Sequence, residues 1–177
     1  MTVDEYLDWA SSTGLEGRYE LVDGRVVEMA AERAIHAITK GEVFAALREA
    51  IRIAGVDHTA IVDGLTVTIA SMTGRVPDVL VVPGRPGDET MKAESPIIVV
   101  EVISPGSIKV DRETKLAEYA SVGSIEHYLI VDASARAVTH HRRTDDGFSE
   151  KTLTDGTLEL TPPGLSVTNE DLLPPIG

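Results

Sequence analysis

Residues 97–103 read Ile-Ile-Val-Val-Glu-Val-Ile. A run of β-branched residues this continuous has no polar side, so as a strand it must be covered on both faces. That requirement selects a layered α/β arrangement with this strand inside a sheet. Glu101 interrupts the run. A carboxylate in such a place is costly unless it is paired, hydrogen-bonded or bound to a metal. Asp78 directly precedes a second apolar run, 79–82. Two acids at the edge of two buried strands can converge on one divalent cation.

The surrounding chain supplies the other layers. Thr2 and Glu5 have capping-box spacing, which predicts a short helix with Val3, Tyr6, Leu7 and Ala10 on one side. Residues 18–29 predict a hairpin, because Asp23-Gly24 suits a type I′ turn. The apolar spacing of Ile35, Ile38, Val43, Leu47, Ala50 and Ile51 predicts a helix over 32–54, stopped by Gly55. A second hairpin is expected at Asp63-Gly64, joining 60–62 to 65–70. Strands are predicted over 79–82 and 96–103, with a loop between them and Ser104-Pro105-Gly106 ending the second. A helix over 111–121, strands near 125–131 and 137–140, and two further strands in the tail complete the pattern. The expectation is a mixed sheet flanked by helices.

Length and composition narrow the chemistry. The 177 residues suffice for one domain with a sizeable core, and 4% aromatics make that core aliphatic. The absence of cysteine excludes disulfides, thiolate metal sites and cysteine nucleophiles. The first nine residues carry three acids and no apolar signal segment, and the apolar runs are too short for a bilayer, so a cytoplasmic location and no membrane contact are expected. A formal charge of −13 argues against a global nucleic-acid footprint. Any such surface must be a local patch, or metal ions must offset the acids. Zinc-ligand spacing, a phosphate-binding glycine loop, a dinucleotide fingerprint and a serine elbow are all missing from the sequence.

Asp78 and Glu101 offer oxygen ligands suited to Mg²⁺, with Mn²⁺ as a substitute. A salt-bridged or solvent-facing pair is the competing reading. If the two are held together, their like charges repel, and neutralising either should stabilise the metal-free protein. Glu20 can supply a third carboxylate, although its place in the first hairpin favours an exposed strand acid. Lys115 lies four residues after Asp111 and four before Tyr119, so the three share a helix side. Lys115 can act as a point charge on water or phosphate, or simply pair with Asp111. Tyr119 reads as a packing residue with a polar tip. His36, in the long helix, reads as a packing or hydrogen-bonding histidine. A local basic patch for DNA is expected from Lys109, Arg112 and Lys115, joined by Arg142 and Arg143 beside His140 and His141.

These pieces resemble the PD-(D/E)XK nuclease superfamily, and more closely its Uma-type restriction endonuclease family. The resemblance rests on Tyr19-Glu20-Leu21-Val22-Asp23-Gly24, Arg75-Val76-Pro77-Asp78 and Val100-Glu101-Val102-Ile103-Ser104-Pro105. Asp111 with Lys115 and Tyr119, and Glu126-His127-Tyr128-Leu129-Ile130-Val131-Asp132, extend it over nearly the whole chain. It implies one nuclease-like domain over 1–177 with a restriction-endonuclease-like mixed sheet. It implies Asp78 and Glu101 as catalytic, metal-binding acids and Glu20 as an additional acid at the metal. The superfamily pattern places a lysine two residues after the second acid, where this chain has Ile103. Lys115, on the following helix, is the matching substitute. A homodimer is also compatible with the resemblance.

The leading expectation is therefore a Mg²⁺-dependent endonuclease hydrolysing phosphodiester bonds in DNA. The alternative is a non-catalytic nucleic-acid-binding or regulatory protein on the same fold. A structural protein assembled through its acidic surface is a third reading.

Overall fold

The apolar run forms β7 (Ile98–Val102), an interior strand of a six-stranded sheet. A computed structural model describes residues 1–14, 17–103 and 110–175, apart from the Asp111 side chain. On one side β7 pairs antiparallel with β6 (Val79–Pro83); on the other it pairs parallel with β8 (His127–Asp132). β3 (His58–Val62) lies beyond β6, and β9 (Ala137–Thr144) and β10 (Gly147–Leu153) lie beyond β8, all antiparallel to their neighbours. The sheet is mixed, as expected.

Alternation along the strands explains why the run has no polar side. Val79, Val81, Ile98, Val100 and Val102 join a core with Val43, Leu47, Ala50 and Ile51 of α2 (Ala34–Ala54). The same core takes up Leu158, Leu160, Leu165 and Val167 from a ribbon of β11 (Thr157–Leu160) and β12 (Leu165–Thr168). Leu80, Val82, Val99 and Ile103 face the other way, with Tyr128, Ile130 and Tyr119 of α3 (Lys115–Ser121). Each fully buried aliphatic side chain contributes about 1.5–3 kcal/mol. Glu101 belongs to the second series, so its carboxylate is directed to the α3 side, where the core ends.

The helix signals act as predicted. Thr2 accepts from the Glu5 amide at 3.3 Å, and Glu5 Oε2 accepts from the Thr2 amide at 2.7 Å, capping α1 (Val3–Thr13). α2 ends at Gly55, whose φ of 66° is the left-handed stop a glycine permits. The predicted helix over 111–121 is a π-helical turn, Val110–Thr114, leading into α3. Ser104-Pro105-Gly106 and Lys109 lie outside the described residues. The tail carries three strands rather than two.

The first hairpin, β1 (Tyr19–Val22) and β2 (Arg25–Glu28), turns at Asp23 and Gly24 with φ of 50° and 77°. The second hairpin does not form. Asp63 and Gly64 do turn the chain, with φ of 52° and 86°, but β3 pairs with β6 in the large sheet. β4 (Val67–Ala70) pairs with β5 (Thr73–Arg75) in a second sheet of order β2-β1-β5-β4. The Asp63 amide donates to the Asp78 carbonyl at 3.0 Å, which carries the β3–β6 alignment past the turn. β5 lacks a strand-like sequence because close packing demands glycine in its middle: a Cβ on Gly74 would lie 2.6 Å from Thr66 Cγ2. Among the described residues, no helix is long and apolar enough to cross a membrane.

Candidate active site

The β6–β7 ladder places Val79 opposite Val100, so Asp78 and Glu101 stand at the same end of two adjacent strands. Both are buried, at 4% and 3% exposure. Their side chains are held by different neighbours. Glu101 Oε1 accepts from the Tyr119 hydroxyl at 2.7 Å and lies 2.9 Å from Lys115 Nζ. Lys115 and Tyr119 are one turn apart on α3, and both are buried. Burial, followed by the charge of Glu101, pushes the Tyr119 phenol well above its ordinary pKa, so it stays protonated and donates. The side chain read as a packing residue touches the site.

Glu20 is buried, contrary to the exposed strand acid expected from its position. Arg75 Nη1 reaches its Oε2 at 2.9 Å, the Val76 amide donates to its Oε1 at 3.1 Å, and Lys115 Nζ lies 3.8 Å away. Arg75 is itself bound on its other edge by Glu118 of α3, at 2.7 and 2.8 Å. An arginine fork shared by two carboxylates satisfies charges that burial would otherwise penalise. Lys115 thus stands between Glu20 and Glu101.

Asp78 faces α2. Its Oδ2 accepts from the Val102 amide at 2.8 Å and lies 3.3 Å from His36 Nε2. The same Nε2 lies 2.7 Å from the Val102 carbonyl oxygen, which fixes it as the protonated nitrogen. His36 Nδ1 is buried without a hydrogen-bond partner, 3.6 Å from Glu32 Oε2. Around this group Lys40 Nζ contacts Glu32 at 2.6 Å and Asp63 at 2.8 Å, and lies 3.9 Å from Asp78. Arg18 pairs with Glu32, reaches Asp63 at 2.5 Å and lies 3.7 Å from Asp78. Burial acts to raise the Asp78 pKa. The hydrogen bond and charge of His36, the Val102 amide and Lys40 outweigh it and hold the carboxyl below its ordinary range. The Asp78 contact in turn raises His36 above the usual imidazole value, against the effect of burial.

Ligand atoms of Glu32, His36 and Asp78 all lie within 4.8 Å of one another, a group capable of chelating a metal ion. The donor chemistry fits such an ion. A ligating histidine usually commits its other ring N–H to a carbonyl or carboxylate, as His36 Nε2 does, which leaves Nδ1 to face Glu32. Sequence reasoning missed Glu32, Arg18 and Lys40. It noted His36, but as a packing or hydrogen-bonding residue; its spacing to Glu32 on one helix side was the available signal.

Among the described residues, part of the expected basic patch is committed elsewhere. Arg143 donates to the carbonyls of Ile125, Ala120 and Val122, and stacks over Phe148 at 4.8 Å, so it closes the turn after α3. His140 and His141 are buried, and Lys115 is committed to the acids. Arg112 and Arg142 remain at the surface.

A mixed sheet flanked by helices, with acids at the end of its central strands, is a restriction-endonuclease-like α/β fold. The chain belongs to the Uma2 family, described as "Putative restriction endonuclease", whose model matches residues 3–172. It thereby joins the PD-(D/E)XK-like nuclease superfamily. A crystal structure described as a putative nuclease belonging to DUF820, from Anabaena variabilis ATCC 29413, superposes with a TM-score of 0.74 over 97% of each chain, at 16% identity. That likeness concerns the fold. No curated protein matches the chain.

Proposed function

We propose that this protein is a divalent-metal-dependent endonuclease hydrolysing phosphodiester bonds in DNA. The observation that carries the proposal is the placement of Lys115, whose Nζ lies 2.9 Å from Glu101 at the strand end shared with Asp78. Two buried acids and a buried cation at one sheet end are the parts that phosphoryl chemistry needs: oxygen ligands for a hard ion and a charge to stabilise the transition state.

Asp78, His36 and Glu32, whose donor atoms lie within 4.8 Å of one another, would hold the ion, and of the acids expected at the metal Glu101 and Glu20 stand outside that group, beside Lys115. A bound divalent ion supplies Lewis-acid stabilisation of the negative charge on phosphate. Lys115, now held by Glu101 and Glu20, would turn its ammonium toward the same phosphate oxygens. Tyr119 fixes the rotamer of Glu101, and Arg75 fixes Glu20 beside Lys115. The ion is Mg²⁺ if the carboxylates dominate the site; an imidazole donor makes Mn²⁺ the better-matched probe.

The test is single-turnover cleavage of labelled DNA with Mg²⁺ or Mn²⁺. Wild type should cleave and Asp78→Asn should not. Equal rates in the two would point to a contaminant or another site. DNA binding without cleavage, whatever the metal, would move the reading to a nucleic-acid-binding protein on a nuclease-like fold.

A further inference from the structure

The oxygens a divalent ion would need already face two cations of the chain. Lys40 Nζ contacts Glu32 Oε1 at 2.6 Å and Asp63 Oδ2 at 2.8 Å, and lies 3.9 Å from Asp78 Oδ1. Arg18 pairs with the same Glu32 oxygen, reaches Asp63 at 2.5 Å and lies 3.7 Å from the same Asp78 oxygen. Glu32 and Asp78 belong to the chelating group, whereas Asp63 does not. Lys40 rises from the buried face of α2, where it is 5% exposed. An ammonium there is costly unless it is paired, so the acids hold it in place. The side chains of Arg18 and Asp63 are 31% and 32% exposed. The cluster is thus closed towards α2 and open to solvent on the Arg18 side.

Charge balance shows what this arrangement does. Glu32, Asp63 and Asp78 oppose Lys40 and Arg18, so with a neutral His36 the metal-free group is one charge from balance. Glu20, Glu101 and Glu118 are answered separately, by Lys115 and Arg75. A dication brought to Glu32 and Asp78 leaves this group with excess positive charge unless an ammonium or guanidinium turns away, or an anion arrives. A phosphodiester is such an anion.

We propose that Lys40 and Arg18 are exchangeable placeholders. They neutralise Glu32 and Asp78 in the metal-free protein, yield those oxygens to a divalent ion, and then turn to the phosphate of the bound strand. The inference rests on the endonuclease reading for the identity of that anion. Asp63 contacts both cations and stands outside the chelating group, so it keeps them at the site during the exchange. Ion and phosphate then bind co-operatively, each answering charge left by the other, and by linkage the factor is the same in both directions. An acidic chain at −13 thereby gains two phosphate contacts that it shows only when metal is bound.

The experiment uses dimethyl phosphate, a stable phosphodiester anion, and trimethyl phosphate, its neutral counterpart. The full chain is titrated calorimetrically with Mn²⁺ in each, at one ionic strength. Dimethyl phosphate should tighten Mn²⁺ binding about tenfold, and trimethyl phosphate should leave it unchanged. Lys40→Met should bind Mn²⁺ alone more tightly than wild type, and its gain from dimethyl phosphate should fall to about twofold, the remainder coming from direct contact of ion and ester. Arg18→Gln should show the same pattern, and it carries the test if Lys40→Met fails to fold by circular dichroism. No gain in wild type, or an equal gain in wild type and variants, overturns the exchange and leaves the endonuclease reading to its cleavage assay. Absence of Mn²⁺ binding in wild type and variants alike also overturns the exchange. The expected gains in a protein that cleaves no DNA retain the exchange and remove the nuclease.

Discussion

Lys115 Nζ sits 2.9 Å from Glu101 Oε1, although the two arise from different elements, a helix and the strand before it. The position two residues after Glu101 is Ile103, which is buried in the α3-side core. The cation therefore reaches the acid from across the site, and the aliphatic core at 103 remains intact.

Lys115→Met should reduce cleavage by about 100-fold or more while leaving DNA binding within a few-fold, because a charge that acts in the transition state matters more to rate than to affinity. Single-turnover rates beside anisotropy binding separate the two. Equal cleavage by wild type and variant would remove Lys115 from the chemistry. Ile103→Lys should not restore the lost rate without cost, since a lysine there enters the apolar core.

Tyr119→Phe should cost about 1–2 kcal/mol of stability. It deletes a fully buried hydroxyl and leaves one Glu101 oxygen without that donor. Cleavage should fall too, as Glu101 loses a restraint. Denaturant unfolding and the cleavage assay check both, and an unchanged unfolding midpoint would reject the contact.

Metal binding offers a test of opposite signs. His36→Ala and Glu32→Gln should each weaken Mn²⁺ binding about tenfold by calorimetric titration, since each removes a donor from the group around Asp78. Lys40→Met should strengthen it, because an ammonium 3.9 Å from Asp78 repels a dication. The same change should destabilise the metal-free protein, as Glu32 and Asp63 lose their shared cation. Asp78→Asn should also destabilise it. The expected like-charge repulsion is not what surrounds Asp78: its neighbours are His36, Lys40, Arg18 and the Val102 amide.

Acid sensitivity should come from the other end of the central strands, where His127 pairs with Ile98. His127 Nδ1 and His140 Nε2 lie 2.9 Å apart, and His127 Nε2 donates to the Pro162 carbonyl at 2.8 Å, so both rings are held neutral. Burial lowers each to about 4. In the unfolded chain both titrate near 6.5. Between those values the unfolded chain binds more protons, so stability is complete above about pH 6.5 and declines as pH falls towards 4. One such histidine is worth roughly 3 kcal/mol at most, and the coupled pair less than twice that. Unfolding free energies at pH 7 and pH 5 should differ by a large part of it. The double substitution His127→Gln, His140→Gln should flatten the slope, and equal stability of wild type at both pH values would contradict the account.

Local signals in the sequence translated directly. The capping box at Thr2, the Asp23-Gly24 turn, the stop at Gly55 and the β-branched runs depend on neighbours in the chain. The acid at 101 was legible because it violated its own apolar pattern. What stayed hidden depended on distant partners. Glu20 is buried only because Arg75, from another strand, neutralises it. Asp63-Gly64 turns the chain as its residues dictate, yet which strand comes next to β3 was decided by pairing with β6. Arg143 looked like a phosphate contact, but three carbonyls at the end of α3 had already claimed it.

Val102 spends both of its main-chain groups on side chains: the N–H on Asp78 and the C=O on His36. The backbone of the central strand is thus wired into the acid cluster. Its amide proton is a reporter already installed in the protein. In a ¹⁵N-enriched sample that single resonance should move, and its exchange with solvent should change, when a diamagnetic ion such as Mg²⁺ engages Asp78. Occupancy of the site becomes readable in solution without a substrate, a fluorophore or a turnover assay.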